Sequence, residues 1–137
     1  MGLTIVDSGV VIGHFEATDA HHVAAGAELR RAIERGDRLV LPASAYAEVL
    51  VTPSRRGTGA VAAADAAIAR LGIHIHVLDQ LVGRSAARLR AKHRALKLPD
   101  ALVIATAVAL DADTLLTTDR RWPTRSSLGL RATVTHL

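Results

Sequence analysis

Apolar residues along this chain follow two alternating rhythms. Short runs of branched aliphatics bounded by turn residues alternate with longer stretches whose apolar positions recur every three or four residues. The first rhythm predicts buried strands, and the second predicts helices lying with one face on them. Leu3-Thr4-Ile5-Val6 predicts a strand ending at Asp7. Asp19 to Arg35 predicts an amphipathic helix with Val23, Ala27, Leu29 and Ile33 inward and Gly36 as its stop. Arg38 to Leu41 predicts a strand closed by Pro42, and Ala43 to Val51 a helix ended by Thr52-Pro53. An Ala-rich helix follows from Gly59 to Leu71, then a strand from Ile73 to Leu78. Asp79 caps a long helix to about Leu96, and Ala101 to Leu110 forms another. Thr114 to Thr117 and Ala132 to His136 are the last expected strands. Such alternation predicts a single α/β domain over residues 1–137, a sandwich with a mostly parallel sheet.

Composition narrows the picture. Half of the 137 residues are apolar, yet there is one each of Trp, Tyr, Phe and Met. The core is therefore expected to be aliphatic. No cysteine is present, which removes disulfides and thiolate metal sites. The longest apolar run, Ala101 to Leu110, falls short of the ~20 residues that span a bilayer, and the N-terminus lacks a signal-peptide pattern. A soluble, cytoplasmic protein is expected. The net charge of +4 is carried almost wholly by arginine, with Lys92 and Lys97 the only lysines. Forked guanidinium donors suit phosphate, although a GC-rich genome, which inflates Arg and Ala, would give the same balance.

The acids change the picture most. In an open parallel sheet, ligands bind beyond the carboxyl ends of the strands. Asp7 ends the first strand, and Asp119 lies just past Leu115-Leu116-Thr117-Thr118. Glu48 sits within the helix after the second strand, and Asp100 opens the helix leading to the fourth. Asp7, Asp100 and Asp119 each read equally well as a cap or turn residue. Glu48, set among Ala45, Val49 and Leu50, is harder to explain that way. Four gathered carboxylates raise one another's pKa unless a cation offsets the repulsion. Oxygen donors without cysteine suit Mg²⁺ or Mn²⁺, which activate water and neutralise charge on a phosphodiester.

The ordered segments "IVDSGVVIG", "ASAYAEVL", "LPDALVIATA" and "LLTTDRRW" resemble the PIN-domain ribonucleases, and within them the toxins of VapBC-type toxin–antitoxin pairs. The resemblance spans essentially the whole chain. It implies a PIN-like three-layer sandwich with helices on both faces of the sheet, and Asp7, Glu48, Asp100 and Asp119 as a catalytic, metal-binding cluster. It further implies a Mg²⁺- or Mn²⁺-dependent endoribonuclease, an RNA substrate, a homodimer and a cognate antitoxin. Ser8, Thr117 and Thr118 would support the site, with Thr117 and Thr118 positioning water or phosphate. Trp122 stands where relatives commonly carry Phe and reads as a packing residue.

Arg55-Arg56 and Arg120-Arg121 flank the acids and are expected on the path of RNA phosphates, unless they are ordinary solvated charges. His74 and His76 alternate with apolar residues, which predicts the polar face of an edge strand rather than a zinc site. His21-His22 reads as an exposed first helical turn, and Gly57-Thr58-Gly59 as a helix-start loop. Two other functions compete. A catalytically silent nucleic-acid- or protein-binding module on the same fold would not need all four acids. A phosphoryl receiver would need a second acid near Asp7 and a late lysine, and neither is evident.

Overall fold

The aliphatic runs pair side by side at the centre of the molecule. The computed structural model describes residues 1–137. Its strands are β1 (Leu3–Val6), β2 (Arg38–Pro42), β3 (Ile73–His76), β4 (Thr114–Thr117) and β5 (Thr133–His136). Its helices are α1 (Ser8–Phe15), α2 (His22–Glu34), α3 (Ala43–Arg56), α4 (Thr58–Arg70), α5 (Gln80–Lys92) and α6 (Leu98–Ala109). The sheet order is β3-β2-β1-β4-β5, and every neighbouring pair is parallel. Ile5 lies opposite Val40 on one side and Leu115 on the other, and all three are buried. The expected α/β sandwich holds, with a sheet that is parallel throughout.

Helix α6 is the most deeply seated. Ala101, Val103, Ile104, Ala105 and Ala107 are all buried, and the helix packs on α5, α3, β1 and β2. A helix apolar all round belongs inside, and its small alanines let neighbours approach closely. No helix is long and apolar enough to cross a membrane.

Several expectations need correction. A helix not read from the sequence, α1, follows β1 directly, because the Asp7 carboxylate caps it. Helix α2 starts at His22 and buries Ala25, Leu29 and Ala32, whereas Val23 is 82% exposed and Ile33 is also exposed. Alanine at two of the three inward positions lets α2 lie close to its neighbours, and this turns the larger Val23 outward. Helix α3 does not stop at Pro53 but runs to Arg56. Proline removes one N–H, yet the Pro53 carbonyl still accepts from Gly57 N at 3.1 Å, and Gly57, at φ 121°, ends the helix. Helix α5 ends at Lys92, and Arg90 Nη1 then grips the carbonyls of Arg94 at 3.0 Å and Leu96 at 2.6 Å. The Asp79 cap is as expected, its side chain accepting from Val82 N at 2.9 Å.

β3 is an edge strand with His74 exposed, as its alternation predicted. His22 differs from expectation. It is half-buried, its Nδ1 lies 3.0 Å from the Gly13 carbonyl, and its ring stacks on His14 with centroids 6.3 Å apart.

Acids at the amino edge of the sheet are structural. Asp113 Oδ2 accepts from Leu3 N at 2.8 Å, and Asp37 accepts from Gly2 N at 3.1 Å and Thr4 Oγ1 at 3.0 Å. Hydrogen bonds of this kind bring their carboxyl pKa values below the usual range, Asp113's through Leu3 N and Arg131, Asp37's through Arg35, Gly2 and Thr4 against an opposing burial effect. Three of the four acids at the opposite edge shift the other way.

Candidate active site

Chain direction across the sheet reverses between β1 and β4. From β1 the chain proceeds to β2 and β3 on one side, then returns to β4 and β5 on the other. At such a switch point the carboxyl ends of the two strands leave a crevice. Asp7 stands at its floor, 6% exposed. Its Oδ1 accepts from Ser8 N at 2.8 Å, and its Oδ2 accepts from the Thr117 hydroxyl at 2.8 Å. Thr117 is fully buried and its Oγ1 also accepts from Asp119 N at 3.1 Å. One threonine therefore ties the acid of β1 to the loop after β4. It acts through Asp7 and Asp119, without reaching solvent water or phosphate. Thr118 lies against α1, where a Cβ on Gly9 would collide with its Oγ1.

Burial raises the Asp7 pKa above its ordinary 3.8, and Asp100 and Asp119 push it further. The bonds from Thr117 and Ser8 oppose the rise. Asp100 is half-buried in the first turn of α6. It is not a cap, since Lys97 holds that position and no side chain caps the helix. Burial raises its pKa, with Asp119 adding to the effect, while Trp122, Arg121 and Lys97 counter it. Glu48 departs from expectation, because as a residue it is exposed on α3. Its carboxyl is nevertheless desolvated, which raises its pKa, and Asp7 and Asp100 raise it again; Ser8 beside it acts in the other direction. Asp7, Glu48, Asp100 and Asp119 thus feel one another's charge at one edge of the sheet.

Asp119 alone among the four is lowered. Burial pushes it up, but the Arg121 backbone N–H at 2.8 Å, the Arg121 guanidinium at 3.4 Å and Lys97 outweigh that. The four arginines expected around the acids separate. Arg121 pairs with Asp119, whereas Arg120 turns away to donate to the Leu137 carbonyl at 3.2 Å. Arg56 lies 3.9 Å from Glu16 along a groove between α1 and α3 that Glu48 also lines, and Arg55 is exposed. On the other side of the acids is a cleft of about 260 Å³, lined by Lys97, Asp100, Asp119, Arg121 and Trp122 among others. Lys97 is a site neighbour that no sequence motif singles out, although it lies two residues before the Pro99-Asp100 pair. The Trp122 indole N–H is buried without a hydrogen bond of normal geometry, and it faces the Asp100 carboxyl closely enough to lower its pKa.

This donor set fits a hard cation. It offers only oxygen, and three of its carboxylates are raised by burial and by neighbouring acids, with Arg121 and Lys97 offsetting part of this at Asp100. No three of the chain's His, Asp and Glu side chains converge closely enough to clasp one ion directly. That spacing suits an ion that keeps several waters and takes one or two carboxylates, as Mg²⁺ does.

The structure is similar to VapBC2 from Rickettsia felis bound to a promoter DNA fragment, with TM-score 0.74, 13% identity and 98% of each chain covered. It is similar to VapC20 of Mycobacterium tuberculosis, a sarcin-ricin-loop-cleaving toxin, with TM-score 0.68, 20% identity, and 93% of this chain and 95% of that chain covered. A toxin–antitoxin complex from Klebsiella pneumoniae matches with TM-score 0.68 and 21% identity, covering 86% of this chain and 88% of that one. No curated protein sequence matches significantly. The PIN domain family model matches residues 4–126, which takes in the switch-point crevice and all four acids, and the chain belongs to the PIN domain family.

Proposed function

We propose that this chain is a metal-dependent endoribonuclease acting as the toxin of a toxin–antitoxin pair. The observation that carries the reading is the group of four acids at the switch point, three of them held above their ordinary pKa by burial and by neighbouring acids. Asp7, Glu48 and Asp100 are the proposed metal-binding acids for Mg²⁺ or Mn²⁺, one or two of them meeting the ion directly and the others, with Asp119 steadied by Arg121, meeting its waters. When bound, the ion supplies a lowered water pKa and neutralises charge developing on the phosphodiester. Thr117 and Ser8 fix the Asp7 carboxylate, so that its lone pairs keep one direction. Arg56, which lines a groove with Glu48, and Arg121, paired with Asp119, border the acids and are proposed with the exposed Arg55 to attract RNA phosphates; Arg120, turned toward Leu137, has the weakest claim to that role.

An antitoxin partner is proposed because similar structures are toxin–antitoxin complexes from Rickettsia felis, Klebsiella pneumoniae and nontypeable Haemophilus influenzae. A homodimer is proposed as well. Val77, Leu78 and Leu81, exposed together at the start of α5, offer apolar surface for a second copy. We place its action on RNA in the cytoplasm.

Incubation of the purified chain with total cellular RNA tests the activity, with Mg²⁺ or Mn²⁺ and with chelator in parallel. Discrete cut ends that require metal support the reading. RNA binding without metal-dependent ends would favour a catalytically silent binding module instead.

A further inference from the structure

The 260 Å³ cleft beside Asp100 and Asp119 has a second wall that the acids do not explain. Leu96 and Trp122 make that wall apolar, and Lys97 and Arg121 place cations at its rim. Lys97 is exposed and makes no ion pair, and its charge, felt by Asp100 and Asp119, also stands open to a ligand at the rim. The wall is built before any ligand arrives. Arg90 Nη1 holds the Arg94 and Leu96 carbonyls at 3.0 and 2.6 Å, fixing the segment that leads into Lys97. Trp122 packs in part against the hydrophobic core. Its N–H is buried against Asp100, while the residue as a whole is half-exposed and lines the cleft.

A cleft this small, flanked by acids on one side and by an aromatic ring with cations on the other, admits one flat heteroaromatic group bearing a phosphate. Single-stranded RNA offers that group, since unpaired bases stack on aromatic side chains whatever their sequence. We propose that the cleft is a nucleobase subsite, with the base next to the scissile phosphodiester stacking on Trp122 and its own phosphate meeting Lys97. The proposal rests on the nuclease reading above and adds the feature that selects which nucleotide borders the cut. Trp122 then joins the two functions, because the ring that receives the base also faces Asp100.

Trp122 is the only tryptophan in the chain, and it lines this cleft and a second one beside Arg120, Arg125 and His136, so a fluorescence change that weakens in Lys97→Ala is the one that reports on the first. The experiment titrates the full-length protein with each of the four 5′-nucleoside monophosphates, which contain no internucleotide bond to cut, and with ribose 5-phosphate. Saturable quenching by at least one mononucleotide but not by ribose 5-phosphate is expected, weakened in Lys97→Ala. Binding of single-stranded RNA, read by anisotropy, is expected to weaken about tenfold in Trp122→Leu and to be largely kept in Trp122→Phe. Equal quenching by ribose 5-phosphate, or no saturable signal in the wild type, overturns the subsite. The wild-type titration decides even if Trp122→Leu fails to fold. Metal-dependent RNA cleavage without mononucleotide binding rejects the subsite alone, whereas mononucleotide binding without cleavage rejects the nuclease reading alone.

Discussion

The Thr117 hydroxyl donates to Asp7 Oδ2 at 2.8 Å while accepting from Asp119 N at 3.1 Å, so a buried side chain of β4 sets the direction of the acid that ends β1. Thr117→Val keeps the shape and deletes both bonds. A buried carboxylate that loses a donor carries a desolvation penalty of about 1–3 kcal/mol. We expect Thr117→Val to lower unfolding free energy by about 2 kcal/mol in urea titrations, with Thr117→Ser retaining most of it. Equal loss in both variants would mean that the methyl packing, and not the hydroxyl, holds the junction.

The raised acids predict a pH dependence. Asp7 and Asp100 bind their protons more tightly in the fold than at the ordinary 3.8, chiefly through burial, and Glu48 more tightly than at 4.5 for the same reason. Above those values the native state holds more protons than the unfolded chain. Stability from these groups is complete at lower pH and is lost as pH rises through the raised values. Asp119 has the opposite sign, adding stability above 3.8 that fades below it. Asp100→Asn removes one declining contribution. Without metal it should be as stable as the wild type or more so at neutral pH, with a shallower fall above about pH 4, while cleavage is abolished. A steeper fall in the variant would contradict the sign.

Metal should stabilise the fold by mass action. At 100 times its dissociation constant, a ligand specific to the native state adds about 2.7 kcal/mol. Mn²⁺ is expected to raise the wild-type melting temperature, and Glu48→Gln to lose most of that rise. Because Glu48 is exposed but its carboxyl is held above its ordinary pKa, its substitution should leave metal-free stability equal or slightly higher. A Glu48→Gln shift equal to that of the wild type places the ion elsewhere.

Gly9 carries a packing prediction. A Cβ there collides with Thr118 Oγ1, which belongs to the loop bearing Asp119. Gly9→Ala is expected to cost about 1–3 kcal/mol through overpacking, against the small gain alanine normally brings to a helix. Thr118→Ala should restore most of it, so the double-mutant cycle shows strong coupling. Additive single effects would show that α1 and this loop do not touch.

RNA affinity should fall with salt through counterion release. In the cleavage-deficient Asp100→Asn background, Arg55→Ala/Arg56→Ala should flatten that dependence by roughly one unit of slope for each phosphate no longer neutralised. Arg120→Ala should leave it nearly unchanged, since that guanidinium is turned to the Leu137 carbonyl. An unchanged slope in the Arg55/Arg56 variant moves the RNA path to another face.

The strands, most helices and the order of the acids were legible from local patterning alone. Branched aliphatic runs such as Leu3–Val6 and Thr114–Thr117 have few ways to satisfy both burial and backbone pairing, so their pattern reveals them. Local signals are less decisive where two conformations share a pattern. Val10-Val11-Ile12 suits strand or helix alike, and only the Asp7 cap in the fold starts α1 there. Pro53 reads as a stop, yet the cost of one missing N–H in a last turn does not end α3. The inward face of α2 defies its own periodicity, because close packing favours Ala25 and Ala32 over the larger Val23 and Ile33. What only tertiary structure decided is which acids meet. Asp7 and Asp119 are far apart in sequence, and they adjoin because β1 pairs with β4 and Thr117 bridges their ends. Asp37 and Asp113 are the same residue type, but they lie at the amino edge and tie down backbone N–H groups. Nothing in local sequence separates the two sets, because a carboxylate's role is fixed by the strand end, the donors and the neighbouring charges that folding places around it.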